Sequence, residues 1–378
     1  MNATELIPEL LKGINAFTLG NLVMLVVGAV LIYLAVAKEY EPVLLLPIGF
    51  GCLLANIPLT GMTEGHGLFA VLYDAGISNE LFPLLIFIGV GAMIDFSPLL
   101  AQPRMVLLGA AGQFGIFGTL ILATLLGFPL NEAASIGIIG AIDGPTSIFV
   151  ATRLAPELLA PIAVAAYSYM SLIPIIQPPL MRLLTTREER LIRMEYAPRP
   201  ISRLTLIAFP VVVTLAVGLL VPEATPLISM LMLGNLLRES GVVDRLSKSA
   251  QNEIINIATL FLGLTIGSTM TASSFLNGQT VLIMLLGLLA FVIDTAAGLM
   301  FGKLMSVLSG RRVNPLIGAA GISAFPMAGR LAARMANDED HENFLLMHAM
   351  GANTAGQLGS VMAGGVLLAI VSAILGIG

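Results

Sequence analysis

The sequence predicts an all-α polytopic membrane protein with two inverted-topology repeats, about ten transmembrane helices and two broken or re-entrant segments. Three observations predict it. Of 378 residues, 57% are apolar and only 11% charged, with a mean hydropathy of +0.95. Soluble chains run at about 45–50% apolar and about 25% charged, so too few charges are present to coat a water-facing surface. Apolar runs of about 20 residues, the length that crosses a bilayer, recur along the chain. Two further apolar segments are interrupted by Gly, Pro and small hydroxyl residues, the composition of discontinuous membrane helices.

Clear spans are predicted near 19–37, 81–101, 105–128, 158–182, 203–222, 254–274, 279–302 and 343–376, the last long enough to be broken or strongly tilted. Shorter runs at 43–59 and 226–238, each opened by a proline (Pro42, Pro226), complete the ten. The interrupted segments are 133–155 and 313–334. No stretch reads as a cleavable signal peptide, because the first apolar run begins late and lacks a basic flank.

Lys and Arg concentrate on the cytoplasmic side of short loops. The basic loop from Arg182 to Arg203 therefore marks the cytoplasm. If 133–155 re-enters from outside, Lys38, Arg104, Arg238, Arg245, Lys248, Lys303, Arg311, Arg312, Arg330 and Arg334 also fall inside, and the C-terminus lies outside. That topology exposes a repeat. Gly144 opens G-P-T-S-I-F-V-A-T-R-L-A and Gly321 opens G-I-S-A-F-P-M-A-G-R-L-A, aligning Thr146 with Ser323 and Arg153 with Arg330. The segment F-I-G-V-G-A-M-I-D-F-S-P-L-L, ending at Leu100, echoes L-G-L-T-I-G-S-T-M-T-A-S-S-F-L, ending at Leu276. The organisation read from this is a single membrane domain: a first repeat over 19–182, a cytoplasmic linker over 183–202 and a second repeat over 203–376. In transporters of inverted-repeat plan, substrate and ion sites sit where broken segments meet.

Several chemistries are excluded. One cysteine (Cys52) rules out intramolecular disulfides and multi-thiolate metal sites, and the three histidines are too scattered for metal-ligand spacing. None of the four lysines (Lys12, Lys38, Lys248, Lys303) completes a phosphate-binding P-loop. The net charge of -5 gives no support to nucleic-acid binding.

Asp143 stands in apolar surroundings beside Gly140, Gly144 and Pro145. A carboxylate there costs about 2.5–3.5 kcal/mol on insertion scales, so it needs a partner. Freed carbonyls and the hydroxyls of Thr146 and Ser147 would give hard oxygen ligands for Na+; alternatively Asp143 caps the half-helix starting at Gly144. The second broken segment offers Asn314, Ser323 and carbonyls near Gly318 and Gly321, without an acid. Arg330 at its end either snorkels to the interface or attracts an anion. Tyr169 reads first as a packing residue. Asp294 is a second candidate for ion or proton traffic, whereas Asp95 reads as interfacial. The run Asn337 to Glu342 reads as a solvated loop.

Together the motifs resemble a known family. The Asp143 segment, A-T-R-L-A-P-E-L-L-A-P-I-A-V-A-A-Y-S-Y-M-S-L-I-P-I-I-Q-P-P, G-N-L-L-R-E-S-G-V-V-D-R-L-S at Gly234, the Asn314–Arg330 segment and N-F-L-L-M-H-A-M-G-A-N at Asn343 are similar to the β subunits of sodium-pumping biotin-dependent decarboxylases, a family covering oxaloacetate, methylmalonyl-CoA and glutaconyl-CoA decarboxylases. One departure is visible: G-A-I-D-G-P-T stands where the family usually has G-G-A-D-G-P-T. The resemblance implies decarboxylation of N-carboxybiotin brought by a partner, consumption of a proton and export of Na+. It implies Asp143 as principal Na+ ligand, with Asn314, Ser323 and backbone near Gly318 as further contacts, beside the Thr146 hydroxyl read from the residues themselves. Tyr169 and Ser323 would hand protons towards carboxybiotin, and Arg330 would serve coupling or meet the carboxybiotin. The implied partners are biotin-carrier and carboxyltransferase subunits and a small γ/δ-type membrane subunit in a prokaryotic cytoplasmic membrane; the resemblance also allows a homo-oligomer. Because the chain has no M-K-M biotin-attachment sequence, its biotin must arrive on a partner. The rival readings are a Na+- or H+-coupled secondary transporter and a structural membrane anchor.

Overall fold

The computed structural model describes residues 11–195 and 200–376, and is helical with no strand among them. The part of the expected linker at 196–199 lies outside the described residues. The main helices are α1 (Leu19–Ala37), α2 (Pro42–Ala55), α3 (Leu81–Met93), α4 (Val106–Ala111), α5 (Phe114–Leu125), α6 (Leu130–Gly137), α7 (Gly144–Leu154), α8 (Leu159–Leu184), α9 (Arg203–Leu220), α10 (Thr225–Ser240), α11 (Ile255–Thr269), α12 (Gly278–Leu308), α13 (Met327–Glu339) and α14 (Leu346–Leu375). By length and composition, five helices among the described residues are long and apolar enough to cross a membrane, or up to seven if each of two bent pairs forms one span. Their outward faces fit a lipid solvent: Leu19, Leu215, Leu219 and Leu220 are exposed on α1 and α9.

Local chemistry sets the boundaries. Thr18 caps α1 through a reciprocal hydrogen-bonded box with Asn21, and Asn277 caps α12 by accepting from the Thr280 amide at 2.8 Å. Gly241, at φ 64°, terminates α10 in the left-handed region that glycine enters without steric cost. Within α8, Pro174, Pro178 and Pro179 each remove a backbone donor, and the helix bends by 61° between its two halves.

Several expected spans differ in form. The run 81–101 is not one helix: α3 stops at Met93, and Asp95 accepts from the Ser97 amide at 2.8 Å to start a separate turn, Ser97–Ala101. The run 105–128 is interrupted at Gly112–Gln113. Of the two forms the length of the run 343–376 allows, broken or strongly tilted, the break is absent: α14 is one continuous helix of 30 residues, and several of its glycines meet neighbouring backbones rather than interrupting the ladder. The short runs form α2, of 14 residues, and α10, of 16. At 1.5 Å per residue these reach roughly 21 and 24 Å, less than a hydrocarbon core of about 30 Å.

The packing is reciprocal between the halves. α1 packs on α2 and α9 on α10; α2 packs on α11, and α10 on α3. Both crossings close on glycines. A Cβ on Gly91 would lie 1.8 Å from the Leu231 carbonyl oxygen, and one on Gly234 2.0 Å from that of Ile88. Across α2 and α11, the corresponding distances are 2.2 Å for Gly51 to Leu264 and 2.0 Å for Gly267 to Ile48. Small residues let membrane helices approach to backbone contact, so larger side chains at these positions would force the pairs apart. A π-helical turn precedes α3, Tyr73–Ile77, and another precedes α11, Ala250–Ile254.

The linker is pinned to the loop after α13. Arg193 reaches Asp340 at 2.6 Å and Glu342 at 2.7 Å, and Arg190 reaches Glu339 at 2.8 Å. The side-chain amides of Asn314 and Asn343 both donate to the carbonyls of Arg190 and Ile192. Hydrogen bonds from the Arg193 guanidinium hold the Asp340 carboxyl below its ordinary range, and those from Arg190 do the same for Glu339. A depressed carboxyl stabilises the folded arrangement above its unfolded pKa, and that contribution is lost as pH falls through the lower folded value. Amide hydrogen-exchange protection at 190–195, corrected for intrinsic rate, is therefore expected to hold from neutral pH down to about pH 4 and to fall below it. Protection that ignores pH, and is the same in Asp340→Asn, would remove these pairs from the explanation.

Candidate functional site

The segment from α6 to α7 is helical at both ends and interrupted between them. After α6 the chain tightens into a 3₁₀ turn, Ile138–Ala141, and Ile142 takes φ 52°. A β-branched residue is disfavoured there, so surrounding contacts must hold it. Asp143 is then extended, and α7 starts at Gly144 with Pro145 in its first turn, where a missing N–H costs nothing. No side chain fits at Gly144: a Cβ would lie 2.1 Å from the Tyr167 ring.

Asp143 is 4% exposed. Its Oδ1 accepts from the Thr146 amide at 3.3 Å, which is the helix cap. Its Oδ2 accepts from Thr146 Oγ1 at 2.8 Å, Gln357 Nε2 at 2.8 Å and Ser360 Oγ at 2.9 Å. No basic side chain pairs with it among the described residues. Hydrogen bonds to a charged group are worth about 1.5–3 kcal/mol each, so four donors can offset an insertion cost of about 2.5–3.5 kcal/mol. The fold thus accommodates a carboxylate without cancelling its negative field. Asp143 also lines a cavity of about 210 Å³ shared with Ser323, Gln357 and Tyr167.

The second interruption is built differently. Asn314 caps a 3₁₀ turn, Pro315–Gly321, by accepting from the Leu316 amide at 3.0 Å, and the chain is irregular until α13. Its freed carbonyls are met by neutral amides: Gln177 Nε2 donates to Ala319 at 3.0 Å, Asn353 Nδ2 to Ile322 at 2.7 Å and Gln113 Nε2 to Gly321 at 3.4 Å. Ser323 Oγ donates to the Ala141 carbonyl, joining the two interruptions directly.

The structure brings Asp143, Thr146 and Ser323 together. The other sequence candidates have different neighbours. Asn314 spends its amide on the linker carbonyls of Arg190 and Ile192. Gly318 meets the backbone of Gly298 on α12, its Cβ position lying 2.0 Å from that carbonyl oxygen. Tyr169 donates its hydroxyl to the Met284 carbonyl on α12. Arg330 is exposed on α13. Asp294 is fully buried on α12 and accepts from the Gly115 amide. Arg153 pairs with Glu80 and lies over the Phe149 ring at 4.5 Å. Sequence reading missed Gln357 and Ser360, although their spacing of three, with Asn353 four residues earlier, is a polar stripe on one face of an apolar helix. It also chose Tyr169 over Tyr167. Residues two apart point to different helix faces, and only packing decides which one meets the acid.

These features define a multi-pass helical membrane protein whose candidate centre is a carboxylate buried at an interrupted helix. The chain belongs to the family of Na+-transporting oxaloacetate decarboxylase β subunits, whose model matches residues 20–371. It is 57% identical over 361 residues to the methylmalonyl-CoA decarboxylase subunit β of Veillonella parvula, with 96% of each chain covered. Identity to the glutaconyl-CoA decarboxylase subunit β of Acidaminococcus fermentans is 54% over 360 residues, 95% of this chain and 96% of that one. Against the oxaloacetate decarboxylase β chain of Klebsiella pneumoniae it is 46% over 432 aligned positions, 98% of this chain and all of the relative.

Proposed function

We propose that this protein is the membrane subunit of a Na+-transporting decarboxylase, that it releases CO2 from N-carboxybiotin carried by a partner, and that Na+ passes through the Asp143 centre as cargo. The observation that carries the reading is Asp143 itself: a buried carboxylate held by neutral donors, lining a cavity, with no basic residue among the described ones paired to it. Its hydroxyl neighbours Thr146, Ser323 and Ser360 are oxygen ligands of the hardness that Na+ prefers. Asn314 and Gly318, contacts implied by the family, would enter through a rearrangement of the second interruption. The chain is one membrane domain, its repeats at 19–182 and 203–376 inverted about the linker. The reciprocal crossings of α2 with α11 and of α3 with α10, closed by glycine pairs, support that symmetry. The ten-crossing topology counts α2 and α10 as crossings despite their length.

Carboxybiotin would supply a carboxylate that leaves as CO2 while its ring nitrogen takes up one proton. The chain's part is to bind that anion from the cytoplasm and to deliver the proton. A cavity of about 630 Å³ beside the linker, lined by Arg104, Arg311, Arg312, Gln102 and His348, gives an anion cationic and polar partners. Arg330 would meet the carrier, and Tyr169 and Ser323 would relay the proton. Moving one Na+ outward against 100 mV costs about 2.3 kcal/mol, so ion release has to be tied to decarboxylation, with a proton replacing Na+ at Asp143 as the simplest tie. Biotin-carrier and carboxyltransferase subunits and a small membrane subunit complete the assembly, in a prokaryotic cytoplasmic membrane.

The test is reconstitution of the assembled complex in vesicles with its cytoplasmic side outward. Adding the carboxyl-donor substrate is expected to drive Na+ into the lumen against its gradient, with substrate consumption dependent on Na+. Decarboxylation at full rate without Na+, or Na+ exchange by this chain alone with no carboxylated substrate, would overturn the reading.

A further inference from the structure

The cavity beside Asp143 contains a second acid. Buried Asp143, Ser323, Gln357, Tyr167 and Thr259 line it together with Glu41, half-buried in the α1–α2 turn, and exposed Asn256 at the start of α11. Among the described residues no Lys, Arg or His lines it. Tyr167 lies within electrostatic reach of both carboxylates. One wall is tight: the Tyr167 ring sits against Gly144, immediately after Asp143. The rim is at the end where Lys38 precedes Glu41 and Arg245 and Lys248 precede Asn256, the residues whose charge marks the cytoplasm.

We propose that Glu41 is the capture carboxylate of a cytoplasm-facing Na+ entry path, drawing the ion to the rim of the cavity that ends at Asp143. This rests on the Na+ role of Asp143 and assigns the side from which that site fills. The physical ground is focusing. A low-dielectric cleft lined by one sign of charge raises the local concentration of the opposite ion, and a group at its rim acts on capture before it acts on any later step. Neutral Thr259 and Tyr167 in the cavity, and Asn256 at its rim, offer oxygens to a partly hydrated ion without trapping it. An export pump must load from the cytoplasm, which is where this cavity opens by the charge rule.

The experiment is a Na+ titration of decarboxylation by the complete complex carrying Glu41→Gln, Glu41→Asp or Asp143→Asn. Glu41→Gln is expected to raise the Na+ concentration for half-maximal rate by about fivefold, the scale of one partly screened charge, while the saturating rate falls much less. Glu41→Asp restores most of the loss. Added choline chloride, which screens a rim charge, narrows the gap between wild type and Glu41→Gln. If Glu41→Gln fails to assemble, Asn256→Asp and Asn256→Lys change the charge of the same rim without touching the turn; the first should lower Na+ half-saturation and the second raise it. An unmoved half-saturation in Glu41→Gln, or in both Asn256 variants, overturns the entry path. Should Asp143→Asn also leave it unmoved, the parent reading fails as well; when Asp143→Asn alone shifts it, only the role of Glu41 is lost.

Discussion

Replacing Asp143 by Ala is expected to reduce Na+-dependent decarboxylation by at least about a hundredfold, the largest effect predicted for any single side chain. Two losses add. The negative field that, on the proposed reading, draws Na+ into the cavity disappears, and the donors on Thr146, Gln357 and Ser360 are left facing a void. Loss of the α7 cap costs about 1 kcal/mol, and each stranded buried donor about 1–3 kcal/mol, so the Ala variant should also melt earlier. Asp143→Asn separates the two. Its amide oxygen can still accept from the Thr146 amide, so most of the fold's stability should return while Na+ dependence does not. A purified complex with Asp143→Asn and wild-type Na+ half-saturation would leave the acid as a helix cap and nothing more.

The sequence carried the break at 133–155 because its cause is local. Gly140, Gly144 and Pro145 loosen a helix wherever they occur, and a carboxylate among apolar neighbours is conspicuous. The second break was readable for the same reason. What surrounds the acid was harder, because it comes from residues more than 200 positions away. Gln357 and Ser360 are ordinary polar residues until α14 brings them to Asp143. The glycines of α14 likewise take their meaning from the fold. Read locally they weaken a helix, whereas in the fold Gly356 and Gly364 take up close contacts with the second interruption and with Thr146. The end of α3 at Met93 depended on Asp95, which reads as interfacial in the sequence and in the fold turns the chain by accepting from Ser97.

Asp294 poses the sharpest contrast with Asp143, because the sequence reading offered both for ion or proton traffic. In the structure its contacts are those of a packing residue. The interruption at Gly112–Gln113 exposes amides in the first turn of α5, and Asp294, reaching across from α12, accepts from the amide of Gly115. A carboxylate at a helix N-terminus is favoured by the exposed N–H groups and the helix dipole. The fit is close: a Cβ on Gly115 would lie 2.6 Å from Asp294 Cγ, and one on Gly140 3.0 Å from its Oδ2. Asp294 thus ties α12 to α5 and to the turn preceding Asp143. Asp294→Ala is expected to destabilise the protein by about 2–4 kcal/mol, through an unsatisfied buried amide and a small cavity. Asp294→Asn keeps an acceptor of the same shape, so it should recover more than half of that loss and leave Na+ half-saturation at the wild-type value. Thermal unfolding in detergent and a Na+ titration of the assembled complex read the two effects separately. If Asp294→Asn moved the half-saturation as far as Asp143→Asn does, the packing role assigned here would be wrong and Asp294 would belong to the ion path.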